Sequence, residues 1–386
     1  MARATSRRAR REPQADVNLT VAGWLLDLAA VQPADRQRHA FTRAAYAVLG
    51  LPRPVDLLID GDRLEKIKYV GPSSTRVILE VVRTGASETV RAAIDSSGGA
   101  TEVERRRRLR AGFISQAAAE AALAEPLPGH LVSLASFRGD FQIHSTYSDG
   151  GQTLEQIVET GLALGHEVAA VTDHSYGLPV ARGMSMEAGA RQHAEIDRLN
   201  AAYDGRFRLL KGIEANVRAD GSLDMQDDEL RQFDLVVAAP HSALRSTADQ
   251  TARMVAAVRH PLVQILGHPR GRRFNTRAGV LADWPRVFAE AARNRVAIEI
   301  DGYPDRQDVD HSLAADALAA GCIFALDSDA HSPQERLFTR MAIAHARLAG
   351  IPADRVVNCW SDRAIADWAG FDESIRSNHP NSSNPR

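Results

Sequence analysis

Two rhythms divide the chain. Between residues 17 and 97 apolar positions recur three and four apart, as in VAGWLLDLAAV and HAFTRAAYAVLGL, and that spacing predicts short helices. LEKI and STRVILEVV continue the pattern, so a compact all-α domain is expected over 17–97. A charged segment, TEVERRRRLRAGF, opens a basic linker and helix over 98–138, where an Ala-rich helix near 114–124 is ended by Pro126 and Pro128. From Gly139 short β-rich runs alternate with amphipathic segments. Strands are predicted at FQIH, EVAAVT, FRLLKGI, DLVVAAP, VQILG, VAIEI and IFALD. The intervening TLEQIVETGLALG and WPRVFAEAARNR have helical periodicity and the length of βαβ crossovers. About seven such units predict a parallel α/β barrel over 139–370 rather than an open sheet. Residues 1–16, basic and polar, and 371–386, rich in Ser, Asn and Pro, are expected to be disordered tails.

In a parallel barrel, functional side chains sit on the loops after the strand C-termini. Metal-type residues fall at those places: His144 with Asp149, Asp173 with His174, Glu214, His241, His268, and Asp329 with His331. Imidazole and carboxylate together suit Zn²⁺, Mn²⁺ or Fe²⁺. So many ligands exceed the needs of one tetrahedral ion. Two or three ions about 3.5–4 Å apart would bind phosphate oxygens and activate a hydroxide for attack on phosphorus. Glu214, in the middle of the series, is the natural bridge, and Asp173 is either a ligand or the partner that orients His174. Arg182 and Arg272 are candidates for holding a substrate phosphate, with ordinary surface pairing as the alternative. Asp301 and Arg306 border the same mouth, their roles open, while His166, His193, His260 and His311 are expected at the surface.

Composition adds limits. A net charge of −2 gives no global pull toward nucleic acid or membrane, so such affinity must be local. Two cysteines are too few for a disulfide framework. No apolar run approaches the ~20 residues that cross a bilayer, and the basic N-terminus lacks an apolar signal region. The cytoplasm is the expected location and no membrane partner is expected.

The motifs GDFQIHSTYSDGG, AAVTDHS, LLKGIEANV, VVAAPHS, ILGHPRGR, VAIEIDGYPDR and FALDSDAH resemble the series of the PHP (polymerase and histidinol phosphatase) phosphoesterases, in order over about 139–345. They are most similar to the PHP domain of bacterial family X DNA polymerases. That resemblance implies a distorted (β/α)7 barrel with a trinuclear centre, and ligand roles for His144, Asp149, His174, Glu214, His241, His268, Asp329 and His331. It also points to Gln142, which stands where the family's first motif has a histidine. An amide oxygen is a weak ligand, so the position shared by His144, Glu214 and Asp329 is expected to be weaker or differently filled. The N-terminal region is similar to the helical domain of family X polymerases, with a helix-hairpin-helix-like segment at about 64–84. There Lys66, Lys68, Gly71, Ser73 and Arg76 are the DNA-binding candidates, Gly71 allowing the turn, while Tyr69 replaces the hairpin's usual first glycine. A purely structural bundle is the alternative; a Schiff-base role for Lys66 or Lys68 would need a desolvated amine. The segment 97–139 leaves no room for a polymerase palm, so no nucleotide transfer is expected. The resemblance implies a metal-dependent phosphoesterase acting on DNA ends, with a small-molecule phosphatase or a non-catalytic DNA-binding module as alternatives.

Overall fold

The structure, a computed structural model, describes residues 16–371 except 61, 62 and 127. The tails expected at 1–16 and 371–386 thus lie, but for Asp16 and Phe371, outside the described residues. The chain divides into two compact units, one reaching Ala121 and the other beginning at Ala122.

The first unit is helical, with helices at Val17–Val31, Asp35–Leu49, Pro72–Thr84, Glu88–Ser97 and Ala100–Leu109. Local chemistry marks their ends. Asp16 caps the first helix by accepting from Leu19 N, and also accepts from Ser115 N at 2.7 Å. Pro72 sits in the first turn of its helix, and Gly85, at φ 74°, ends it. The arginine-rich helix Ala100–Leu109 is part of this unit. Arg107 and Arg110 both pair with the buried Asp27, and Arg105 and Arg106 pair with Glu102.

The second unit holds seven parallel strands in sequential order: β1 (Gly139–Asp140), β2 (Val168–Val171), β3 (Arg208–Asn216), β4 (Leu235–Ala239), β5 (Ile265–Leu266), β6 (Ala297–Asp301) and β7 (Phe324–Asp327). Consecutive strands are separated by helices, the arrangement the alternating pattern predicts. One apolar cluster draws on β2 to β7, through Val168, Leu210, Val237, Ile265, Ala297 and Ala325, and on Phe141 just after β1. The alternate positions Ile213, Val236, Leu266, Ile298 and Phe324 join a larger cluster with helix residues such as Val255, Val287, Phe288 and Ala342.

The first strand differs from its predicted position. It pairs at Gly139–Asp140, two residues earlier than FQIH. Residues 141–144 run between β2 and β7 on mixed side-chain and backbone hydrogen bonds, with a single parallel bridge from Ile143 to Ala330. Phe141 N donates to Asp327 Oδ1 at 2.7 Å, and Ile143 N donates to Thr172 Oγ1 at 3.1 Å. On the β7 side, Ser328 N donates to Asp140 Oδ1 at 3.1 Å and His144 N to the Ala330 carbonyl at 2.9 Å. These contacts bring the first and last strands together, and the sheet is a nearly closed barrel. Among the described residues no helix is long and apolar enough to cross a membrane.

Candidate metal centre

Glu214, on β3, lies among four imidazoles. Its Oε1 is 2.8 Å from His268 Nε2 and 3.3 Å from His241 Nε2. Its Oε2 is 2.8 Å from His174 Nδ1 and 3.5 Å from His144 Nε2. Asp329 extends the cluster through His144 Nε2 at 2.9 Å, and Asp149 Oδ1 faces His331 Nε2 at 3.4 Å and His174 Nε2 at 3.6 Å. The His144 ring stacks between those of His174 and His331, with centroids 4.3 Å away on each side.

Three overlapping groups have ligand atoms within 4.8 Å of one another: His144, Asp149, His174 and His331; His174, Glu214 and His241; and His144, Glu214 and Asp329. His268 meets Glu214 without entering any of the three. These donors fit divalent cations on chemistry and on saturation alike. His144 Nδ1 is buried without a hydrogen-bond partner, and Asp149 Oδ1, His174 Nδ1 and Glu214 Oε2 are buried beside one another or His331 without hydrogen-bond alignment, which folded proteins rarely tolerate.

Backbone conformation helps place the ligands. His268 (φ 23°) and Asp329 (φ 52°) occupy the left-handed region, strain of the kind found at functional sites. A Cβ on Gly150 would lie 2.3 Å from the His144 carbonyl, so only glycine lets the loop carrying Asp149 lie against His144.

The electrostatics follow from the crowding. Burial would raise the Glu214 carboxyl, but His174 and His241 hold it well below the usual carboxylate range. Asp329 is likewise held down against burial by Arg306 and His144. Burial pushes the His144 imidazole down, and the neighbouring His174 adds to this. His331 resists its burial because the Asp149 carboxylate faces its Nε2 and the charge of Asp329 adds to this, and it rises to about 9.

The other candidates fall in different places. Asp173 accepts from Ser145 N at 2.8 Å and Gln192 Nε2 at 2.6 Å, and from the hydroxyls of Ser145 and Ser148. It therefore fixes the loop leading to Asp149. Gln142 is fully buried and both amide atoms lack a partner; its Oε1 would be 3.2 Å from a Cβ on Gly267, beside His268. Arg182 is exposed, at φ 53°. Arg272 is buried, donating to the Arg306 and Gln307 carbonyls and pairing with Asp310 at 3.1 Å, which holds it in the loop after β6. His166, expected at the surface, is buried against the Phe137 ring, with centroids 5.3 Å apart, because its loop folds under that aromatic.

Arg306 is the prominent addition. Its guanidinium pairs with Asp329 and lies 3.6 Å from Asp301. Beneath the cluster, the strands contribute Glu299 and Asp327, both fully buried. The only sign of them in the sequence is a carboxylate inside an apolar strand, in VAIEI and IFALD.

In the helical unit, Lys66 and Lys68 line a cavity of about 700 Å³ with Arg43, Tyr46, Leu51 and Tyr69. Both lysines are exposed, unlike the desolvated amine a Schiff base needs. The hairpin's left-handed residue is Tyr69 (φ 70°), with Lys68 and Arg43 over its ring. Gly71 is extended, at φ −117°, so the tight turn falls on Tyr69 rather than on it. Ser73 and Arg76 are exposed on the helix that follows.

No family model matches the chain. It is 32% identical over 242 residues to the DNA polymerase/3′-5′ exonuclease PolX of Bacillus subtilis, a match covering 62% of this chain and 42% of that protein. A probable phosphatase of Acetivibrio thermocellus is 26% identical over 155 residues, covering 39% of this chain and 59% of that protein. A probable phosphatase of Syntrophotalea carbinolica is 25% identical over 236 residues, 57% of this chain and 90% of that protein. The chain thus spans less than two thirds of the first two of these relatives. Among solved structures, a histidinol phosphate phosphatase of Lactococcus lactis, in complex with zinc, L-histidinol and phosphate, aligns with a TM-score of 0.43 at 15% identity, over 61% of this chain and 94% of that one. The sequence similarities agree with the PHP phosphoesterase resemblance of the motif series.

Proposed function

We propose that the barrel is a metal-dependent PHP-type phosphoesterase acting on DNA ends, as a 3′–5′ exonuclease or 3′-end processing enzyme. The observation that carries the hydrolase reading is the cluster of five imidazoles and three carboxylates around Glu214. His144, Asp149, His174, Glu214, His241, Asp329 and His331, with His268 beside Glu214, would hold two or three Zn²⁺, Mn²⁺ or Fe²⁺ ions. Such ions supply Lewis acidity that brings the pKa of water toward ~7 and stabilises a leaving oxygen. The chain's own part is to orient the donors. Asp173 fixes the loop of Asp149, and Arg306 sets a guanidinium against Asp329. The DNA reading rests on the similarity to PolX, named as an exonuclease, and on the basic hairpin of the helical unit at Lys66, Lys68, Ser73 and Arg76.

A second reading, a phosphatase for small monoesters, is favoured by the match to 90% of the length of a probable phosphatase. The two separate in one experiment: Mn²⁺-supplemented hydrolysis of end-labelled single-stranded DNA and of histidinol phosphate in parallel, with metal content measured on the same batch. A ladder of shortened DNA with little phosphate release is the expected result. The reverse would make the protein a small-molecule phosphatase, and silence on both with metal bound would make it a non-catalytic module. With Cys322 and Cys359 free, the cytoplasm is the location we propose.

A further inference from the structure

The loops after β4 and β5 carry arginines that the metal cluster does not use. After β5 the chain forms a tight turn in which Arg273 N donates to the Arg277 carbonyl at 2.9 Å, with Asn275 at φ 56°. The turn is held firmly. Phe274 is buried and its N donates to the Asp305 carbonyl at 2.7 Å, and Arg277 Nε donates to the Gly271 carbonyl at 2.6 Å. Arg245, from the loop after β4, reaches the same turn through the Thr276 carbonyl at 3.3 Å. Asp305 directly precedes Arg306, whose guanidinium pairs with Asp329, so the turn is joined to the edge of the cluster.

Four cations therefore crowd one side of the mouth. Burial lowers Arg277, and the charges of Arg306, Arg245 and Arg273 lower it further. Among the described residues Arg245 and Arg277 form no ion pair, and Arg273 has only Asp305 at 3.7 Å, a loose surface contact. Like charges held together by carbonyl contacts favour an anionic partner. A monoester brings one phosphate, which metal ions held by the cluster would bind without these arginines. Arginines set back from the cluster on a separate turn suit a ligand with further phosphates along its length.

We propose that Arg245, Arg273 and Arg277 form the entrance for a single nucleic-acid strand, holding the phosphates next to the one being cleaved. This rests on the DNA-end reading above, and makes these arginines positioning residues for a polyanionic substrate. The test uses the full chain with Mn²⁺, a labelled single-stranded oligonucleotide, and the triple variant Arg245→Gln/Arg273→Gln/Arg277→Gln. Each phosphate contact contributes roughly 0.7 to the slope of log affinity against log salt for single strands. The triple variant should therefore show a slope shallower by about 2, and a KM roughly tenfold higher or more at moderate salt, with little change in kcat. Metal content should be unchanged, and the corresponding triple lysine variant should keep most of the slope. An oligonucleotide cut by the glutamine variant with the wild-type salt slope overturns the entrance and leaves the DNA-end reading standing. A wild type that cuts no oligonucleotide but hydrolyses a monoester overturns both.

Discussion

Two sets of carboxylates lie buried in the same barrel and take opposite electrostatic states. Glu214 and Asp329 are held below the usual carboxylate range, whereas Glu299 and Asp327 are pushed well above it. All four are 0–1% exposed, so burial does not distinguish them. Their neighbours do. Glu214 and Asp329 face imidazoles and Arg306, while Glu299 is surrounded by Asp327 and Asp301, and Asp327 by Asp140. The upper set is built to stay anionic and receive cations; the lower set is built to keep its protons. Asp301, between the two, is raised to about 7 by burial against the pull of Arg306. A buried carboxylate in a barrel is therefore a ligand only when its surroundings keep it ionised.

The difference is broken most severely in the upper set. Glu214→Gln, His268→Ala and His331→Ala should each lower turnover about 10³-fold or more, with loss of bound metal for Glu214→Gln and retained cooperative melting for all three. Activity retained by a well-metallated His268→Ala/His331→Ala protein would refute the site. Arg336 offers a contrast in the lower set: it is fully buried and its Nε lies 3.0 Å from Asp140 Oδ2. Arg336→Met removes a charge from a buried pair and should cost about 3–5 kcal/mol, read as a large drop in Tm. A Tm within a few degrees of wild type would mean that Asp140 is already neutral.

Gln142→His adds an imidazole where an amide now has no partner. Metal content or rate should rise, by roughly tenfold if the gain matches that of other ligand-supporting changes. No change in either would make the glutamine competent or its metal position dispensable. Asp327→Asn should be the mildest, within about 1 kcal/mol, because a protonated acid and an amide are alike in charge. It carries a pH signature. The unfolded Asp327 loses its proton near pH ~4 while the folded one keeps it, so the native state binds more protons and wild-type stability falls as pH rises from there. Asp301 extends that fall to about pH 7. Asp327→Asn should flatten the decline in Tm over this range, and an unaltered slope would place the titration elsewhere.

The upper set was legible in the sequence because His and Asp side chains following apolar runs are rare and stand at strand ends. The lower set was not. Glu299 and Asp327 look like interruptions of apolar strands, and nothing local shows that several converge on one interior. Arg306 could be placed at the mouth, but its pairing with Asp329 depends on the course of the loop after β6. The arginine run at 105–110 illustrates a different limit. Five positive residues in a row of six look like one surface, yet a helix turns Arg107 and Arg110 toward Asp27 and Arg105 and Arg106 toward Glu102. The first strand was misplaced by two residues because FQIH has strand-like alternation, while the Phe141 and Ile143 amides go to Asp327 and Thr172 side chains and the segment makes only an isolated bridge, from Ile143 to Ala330.

That stitching makes the junction of the first and last strands a seam of a different kind from the rest of the barrel. His144 and Asp329 sit on opposite sides of it, joined at 2.9 Å. Any cation bridging them would act as a clasp across the seam, so local opening and metal release become one event. Hydrogen exchange at Phe141, Ile143 and Ser328 would then slow with added metal, while the amides of β3 and β4, paired over five residue positions, would hardly respond.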